Sequence, residues 1–245
     1  MVRSTAVAVP TGRRALALVG LAGAVLSGIG DVLILGRPGS GRDFDQAVGK
    51  VPPQIGADKA WRSFWNGAAL PARRIHAGTL AGYVGIGLLQ WVALRGLSRN
   101  LPAGRERSIA SASATAFAVS GVLVHQCCAT VILAYQKAMA EAAASDTAVR
   151  RSPRSATPLL AASTAATLGS LAAYSASVTV AALRRRGSAP VGRSVVTPLP
   201  CVLATLLSFG RLPAPVGGFA RPASISIGLL TYFALAAAAA ERAAD

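Results

Sequence analysis

Two ionisable side chains, Asp31 and His125, interrupt long apolar stretches of the sequence. Asp31 is the only charged residue in 15–36, and His125 lies near the middle of 109–135. Both side chains can take up or release a proton, and an ionisable group inside an apolar stretch is a candidate contact for a proton or a substrate. Two structural readings stay open: Asp31 can reach the polar edge of a membrane, and His125 can be a buried neutral residue bonded to another helix.

Three further polar residues, His76, Tyr83 and Gln90, follow one another at intervals of seven in and around the stretch 75–94. This interval is close to two turns of an α-helix, so the three side chains are predicted to share one face. We treat them as further candidates for substrate or proton contact. For Gln90 the alternative is a buried amide with a hydrogen-bonding partner.

Small residues occur at helical spacing on two segments and predict surfaces for close helix packing. The first stripe also carries Ser27 and ends at Asp31. Its small members are Gly20, Ala24 and Gly28, and those of the second are Gly78, Gly82 and Gly85.

The sequence lacks the usual signatures of catalysis and of metal binding. Cys127, Cys128 and Cys201 have neither disulfide nor zinc-ligand spacing, and the two histidines are far apart in the chain. Walker A, HExxH and GxSxG motifs are absent. We predict no metal and no cofactor, and we favour a protein that is not an enzyme.

The elements that must position these residues are membrane-spanning helices. Apolar residues make up 53% of the chain and charged residues only 14%, which is too apolar for an ordinary water-soluble surface. Runs of about 20 apolar residues cross the hydrocarbon core of a bilayer. We predict an all-α, polytopic transmembrane bundle of about six spans, with a tail at 1–14 and another at 241–245. The spans are 15–36, 75–94, 109–135, 156–183, 194–210 and 222–240.

The net charge of +16 comes from basic residues at the ends of the apolar runs. Such residues meet lipid headgroups, and no aromatic base-stacking platform accompanies them, so we predict a lipid partner and no nucleic acid. The two sides of the predicted membrane carry nearly equal numbers of basic residues. The shorter connections favour a cytoplasmic N-terminus in the cell membrane.

The first connection, 37–74, differs from the others because it is long and contains aromatic and basic residues. Trp61, Phe64 and Trp65 would share one face of a helix there. Such a face is typical of a segment that lies in the plane of the membrane interface.

The layout resembles an uncharacterised bacterial family of six-pass membrane proteins, defined as a domain of unknown function. The resemblance covers most of the chain. It rests on Gly30 and Asp31 late in the first span, a glycine-rich second span, His125 in the third, and a fifth span that begins with proline. A Leu-Pro-x-Pro turn follows at 212–215, whereas 192–195 departs from the family's pattern. The resemblance implies a fold and no known reaction.

Three functions remain open from the sequence. Polar residues on apolar helices favour a protein that handles a small molecule or an ion. A membrane enzyme that acts on a lipid is the first alternative. The second is an accessory subunit whose glycine surfaces contact another membrane protein or a second copy of the chain.

Overall fold

A computed structural model describes residues 12–36, 70–144, 157–185, 196–209, 212, 216 and 220–242. These residues form six main helices and no strand, so the predicted all-α fold is confirmed. The predicted interfacial segment at 61–65 lies outside the described residues, as does most of the Leu-Pro-x-Pro turn. The helices are α1 (Gly12–Leu35), α2 (Ala72–Ser98), α3 (Arg105–Ala144), α4 (Thr157–Arg185), α5 (Pro198–Phe209) and α6 (Ser224–Glu241).

Five of these helices, all except α5, are long and apolar enough to cross a membrane. Several extend past the predicted spans, because hydropathy identifies only the part of a helix that suits lipid. Thus α2 begins at Ala72 rather than 75, and α3 covers Arg105–Ala144 rather than 109–135. Helix α5 has 12 residues and is about 18 Å long, which is less than the hydrocarbon thickness.

Neighbouring helices run in opposite directions, as contacts at their ends show. At one end of the bundle, Arg14 of α1 pairs with Glu241 of α6, with 3.1 Å between Nη2 and Oε1. At the other end, Nη2 of Arg74 in α2 donates to the carbonyl oxygens of Val32 and Gly36, each at 3.3 Å. We call the first end the terminal side and the second the far side.

Glycines allow α1 and α2 to cross with their backbones in contact. A Cβ atom built on Gly30 would lie 2.7 Å from the carbonyl oxygen of Gly78. One built on Gly85 would lie 2.7 Å from the carbonyl oxygen of Gly23. Any larger residue at these positions would force the two helices apart, which is the use of small residues in membrane helix packing.

Helix α2 contains a π-helical segment, Tyr83–Gln90, between two α-helical segments. A π-helix has a wider turn than the 3.6 residues of an α-helix, so it changes the direction in which the following side chains point. Residues seven apart therefore do not have to contact the same neighbour. Tyr83 contacts α3 through Gln126, whereas Gln90 contacts α1 through Ser27.

Helix α5 begins inside the bundle rather than at its surface. The backbone N–H of Leu199 donates to Oγ of Ser175 at 3.1 Å. Ser175 is about 15 Å along α4 from the end of that helix at Arg185. Toward the far side, Oγ1 of Thr205 donates to the carbonyl oxygen of Ser224 at 2.7 Å, which attaches α5 to the start of α6.

Candidate proton-binding site

The central feature of the site is a contact between Asp31 of α1 and His125 of α3. Nε2 of His125 lies 3.2 Å from Oδ1 of Asp31. The His125 side chain is 4% exposed and that of Asp31 is 18% exposed. The contact is within ion-pair distance, although Nε2 makes no hydrogen bond of regular geometry. The sequence predicted both residues as candidates, and the structure brings them together.

A glycine makes room for the imidazole ring. A Cβ atom on Gly82 of α2 would overlap the ring atoms of His125. Gly82 thus faces α3, whereas Gly78 and Gly85 face α1. The second glycine surface of the sequence analysis therefore packs against two different helices, and one of its members shapes the site.

A serine from α6 is the third member of the site. Oγ of Ser226 donates to Oδ2 of Asp31 at 2.6 Å. Ser226 in turn accepts a hydrogen bond from Oγ of Ser27 at 3.0 Å, and Ser27 accepts one from Nε2 of Gln90 at 2.8 Å. Oγ of Ser27 also lies 3.2 Å from the carbonyl oxygen of Ala24, so its one hydrogen has two acceptors within reach.

The hydrogen bond on the other side of the imidazole determines how the pair can be protonated. Nδ1 of His125 lies 3.2 Å from the carbonyl oxygen of Gly121, which can only accept, so Nδ1 carries a hydrogen. In a neutral ring of this tautomer, Nε2 would carry a lone pair 3.2 Å from the Asp31 carboxylate. One additional proton, on Nε2 or on the carboxyl group, would remove that repulsion. The pair is therefore a candidate site for one shared proton.

A groove lies beside the site. A cavity of about 600 Å³ lies between α1 and α6, and Ser226 is its polar wall. The remaining walls are small or apolar residues, among them Gly28, Ile29, Val32, Ala223 and Leu230. Ser226 is 2% exposed, so it lies between the apolar groove and the pair with its hydroxyl hydrogen-bonded inside the protein.

The order of the three polar residues does not match a catalytic triad. In a triad the imidazole stands between the hydroxyl and the carboxylate and takes the proton of the hydroxyl. Here the carboxylate of Asp31 stands between Ser226 and His125. The arrangement fits the holding of a proton and does not fit the activation of Ser226 as a nucleophile.

The structure distributes the other candidate residues as follows. Gln90 is fully buried in the hydrogen-bond chain, and its Oε1 has no partner in the part of the chain that the structure describes. Tyr83 is partly buried and donates from its hydroxyl to Oε1 of Gln126. His76 is exposed at the start of α2, away from the cluster.

The stripe of small residues on α1 packs against α6. A Cβ atom on Gly20 would overlap the ring of Phe233, and one on Gly28 would lie 3.4 Å from Cβ of Ser226. Ala24 is 1% exposed and belongs to the core. The stripe thus brings α6, and with it Ser226, next to Asp31.

Sequence reasoning missed Ser226 as a site residue. Serines are frequent in this chain, and nothing in the spacing of Ser224 and Ser226 distinguishes the one that reaches Asp31. Ser27 carried a weak signal, because it is four residues before Asp31 on the same stripe. Among the described residues, no three His, Cys, Asp or Glu side chains are grouped so that they could hold a metal ion.

Comparison with known proteins gives one match. Residues 11–243 match the model of a family of unknown function, DUF6796. The resemblance to an uncharacterised family is thereby confirmed. No curated protein and no solved structure matches the chain.

Proposed function

This chain belongs to that family of unknown function, and we propose that it is an integral protein of the cell membrane that handles a small lipophilic molecule together with a proton. The proton is held between Asp31 and His125, and the molecule occupies the groove beside Ser226. The observation that carries this proposal is the hydrogen bond from Ser226 to Asp31, which joins the groove to the pair.

Burial supports a functional role for the pair. An ion pair inside an apolar bundle is costly to desolvate, and well-packed apolar residues often give equal or better stability. A role in binding a proton next to a ligand-sized cavity would explain why the chain carries a pair that is costly to desolvate. One buried polar atom of the cluster, Oε1 of Gln90, also has no hydrogen-bond partner among the described residues. Such an atom is unusual in a packed interior and calls for an explanation.

The ionisable groups around the pair allow a simple proton exchange. Cys128 is on the same face of α3 as His125 and is 8% exposed. The guanidinium of Arg74 is engaged with carbonyl oxygens at the end of α1. Neither group lines the groove, whereas Ser226 both lines it and donates to Asp31.

We further propose that the N-terminus is cytoplasmic. The described residues carry more basic side chains on the terminal side than on the far side, which is the asymmetry expected of a cytoplasmic side. On the terminal side they are Arg13, Arg14, Arg95, Arg99, Arg105, Arg107, Arg184 and Arg242. On the far side they are Arg73, Arg74, Lys137 and Arg221.

Uptake into vesicles tests the proposal. The full chain is reconstituted in proteoliposomes, and the uptake of a panel of lipophilic amines, alcohols and acids is measured with and without a pH gradient. We expect the uptake of at least one of these classes of compound to depend on the pH gradient. Asp31→Asn and His125→Gln should each reduce this uptake at least about tenfold, since each removes one site for the shared proton.

The control is Ser177→Ala, because Ser177 is buried and its described hydrogen bond is to its own helix. Uptake should be unchanged in this variant. The proposal is wrong if no class moves under a gradient, or if both Asp31→Asn and His125→Gln transport as the unmodified chain does.

A further inference from the structure

A second cavity, of about 200 Å³, lies on the terminal side of the bundle. Its lining comes mostly from α1, α2, α4 and α6, together with Val196 before the start of α5. Its walls are mostly apolar, and Leu97, Val178, Val196, Leu235 and Ala239 are among them. Arg13, which belongs to its lining, is 18 positions before Asp31 and so about 27 Å away along α1, which makes the cavity separate from the proton-holding pair.

A cation stands at the mouth of this cavity. Arg13 of α1 belongs to its lining, and no described carboxylate lies within ion-pair distance of it. The adjacent Arg14 differs, because it pairs with Glu241 at 3.1 Å. Arg13 thus presents a positive charge at the level where α1 begins and α6 ends, which is the level of lipid headgroups.

The inner end of the cavity is closed by two tyrosines. Tyr174 is 1% exposed and Tyr232 is 5% exposed. The hydroxyl of Tyr174 donates to the carbonyl oxygen of Leu94 at 3.1 Å, so its hydrogen is used within the protein. Both tyrosines belong to the lining of the cavity.

The site therefore has a charged end, and apart from the two tyrosines the rest of its lining is apolar. Along α6, Tyr232 is about 12 Å from Ala240, so the cavity runs from the headgroup level into the apolar part of the bundle. Its volume is below the range of about 300–1,000 Å³ that drug-sized ligands occupy, which suits one segment of a hydrocarbon chain rather than a whole compact ligand.

We propose that this cavity binds an anionic phospholipid, with the phosphate at Arg13 and part of one acyl chain in the cavity. The positive charge of Arg13 would attract the negative headgroup, and the apolar residues of the lining would contact the acyl chain. The bound lipid would contact α2, α4 and α6 together and thereby stabilise their packing on the terminal side. This proposal is independent of the proton-linked function of the far side.

Thermal unfolding in detergent micelles tests the proposal with named lipids. The full chain is titrated with dioleoylphosphatidylglycerol, with dioleoylphosphatidylcholine, or with inorganic phosphate, and Tm is recorded. A ligand that binds only the folded state raises Tm as its concentration increases. We expect phosphatidylglycerol to raise Tm, and we expect phosphatidylcholine and inorganic phosphate to have no comparable effect.

Two pairs of variants test whether the rise in Tm comes from binding at this cavity. Arg13→Gln should require about fivefold more phosphatidylglycerol for half the rise in Tm, whereas Arg14→Gln, its neighbour outside the cavity, should respond as the unmodified chain does. Ala236→Phe fills the cavity and should abolish the rise, whereas Ala234→Phe, on an exposed position of the same helix, should retain it. If Ala236→Phe does not fold, Ala239→Leu replaces it as a smaller filling variant.

The proposal is overturned if phosphatidylcholine or inorganic phosphate raises Tm as much as phosphatidylglycerol does. It is also overturned if Arg13→Gln titrates like Arg14→Gln, or if a folded cavity-filling variant keeps the full rise.

Discussion

Nε2 of His125 lies 3.2 Å from Oδ1 of Asp31, and this contact joins α3 to α1 although 94 positions separate the two residues. Few other described contacts between these helices exist, because α2 lies between them along much of the bundle. The pair therefore depends on Gly82 of α2, because the absence of a side chain at this position leaves space for the imidazole ring.

Gly82→Ala should destabilise the protein by about 1–3 kcal/mol, because the added methyl group would overlap the His125 ring and overpack the site. We expect a lower free energy of unfolding in mixed-micelle denaturation. The matched control is Gly169→Ala on α4, where a Cβ atom meets nothing within 4 Å. That variant should be as stable as the unmodified chain or more stable by up to about 1 kcal/mol, since alanine favours the helix. Equal stability of the two variants would contradict the crowding at Gly82.

Ser226→Ala should cost about 1–3 kcal/mol, because it removes the donor to Asp31 and the acceptor for Ser27. Ser177→Ala is the matched control, since Ser177 is also buried and donates to the carbonyl oxygen of Ala173 in its own helix. The prediction is checked by measuring the free energy of unfolding of both variants. A loss in Ser177→Ala as large as that in Ser226→Ala would show that the link between α6 and Asp31 contributes nothing of its own.

The Asp31 and His125 substitutions should be non-additive. His125→Leu leaves the Asp31 carboxyl group without its facing imidazole, and breaking a buried pair from one side costs about 3 kcal/mol or more. Replacing both residues by leucine removes the isolated carboxyl group as well. We expect the double variant to unfold at a higher denaturant concentration than His125→Leu alone. A double variant that loses the sum of the two single effects would mean that the residues are not coupled.

Gly20→Ala should separate α1 from α6, since a Cβ atom there overlaps the Phe233 ring. Phe233→Leu on its own leaves a smaller side chain in the core and should also destabilise the protein. Combined, the two changes should compensate in part, because the smaller side chain makes room for the methyl group. Thermal unfolding of the four proteins of this cycle gives the coupling. A coupling free energy of zero would contradict direct packing of Gly20 on Phe233.

The fold class could be predicted from the sequence because long uncharged runs have few alternatives to membrane-spanning helices. The ends of the helices could not, since terminal turns such as that at Arg105 are helical but polar. The start of α5 inside the bundle was also unpredictable. It depends on Ser175, a residue of another helix, which accepts the first backbone N–H.

Two residues of the site, Asp31 and His125, could be predicted from the sequence, whereas Ser226 and the arrangement of the three could not. Asp31 and His125 are conspicuous, because an ionisable group in an apolar run is rare. Their mutual contact depends on Gly82 and on how α2 is placed, and the spacing of residues within one helix carries no such information. The π-helical segment Tyr83–Gln90 explains a further difference, since it directs Gln90 to α1 while Tyr83 contacts α3.

The ion pair between Arg14 and Glu241 places the start of the first described helix beside the end of the last. A short linker could therefore join residue 242 to residue 12 and close the chain into a ring without moving a helix. New ends could then be opened between 144 and 157, where α3 gives way to α4. Such a permuted chain would keep the same helix neighbours, but both of its ends would emerge on the opposite side of the membrane.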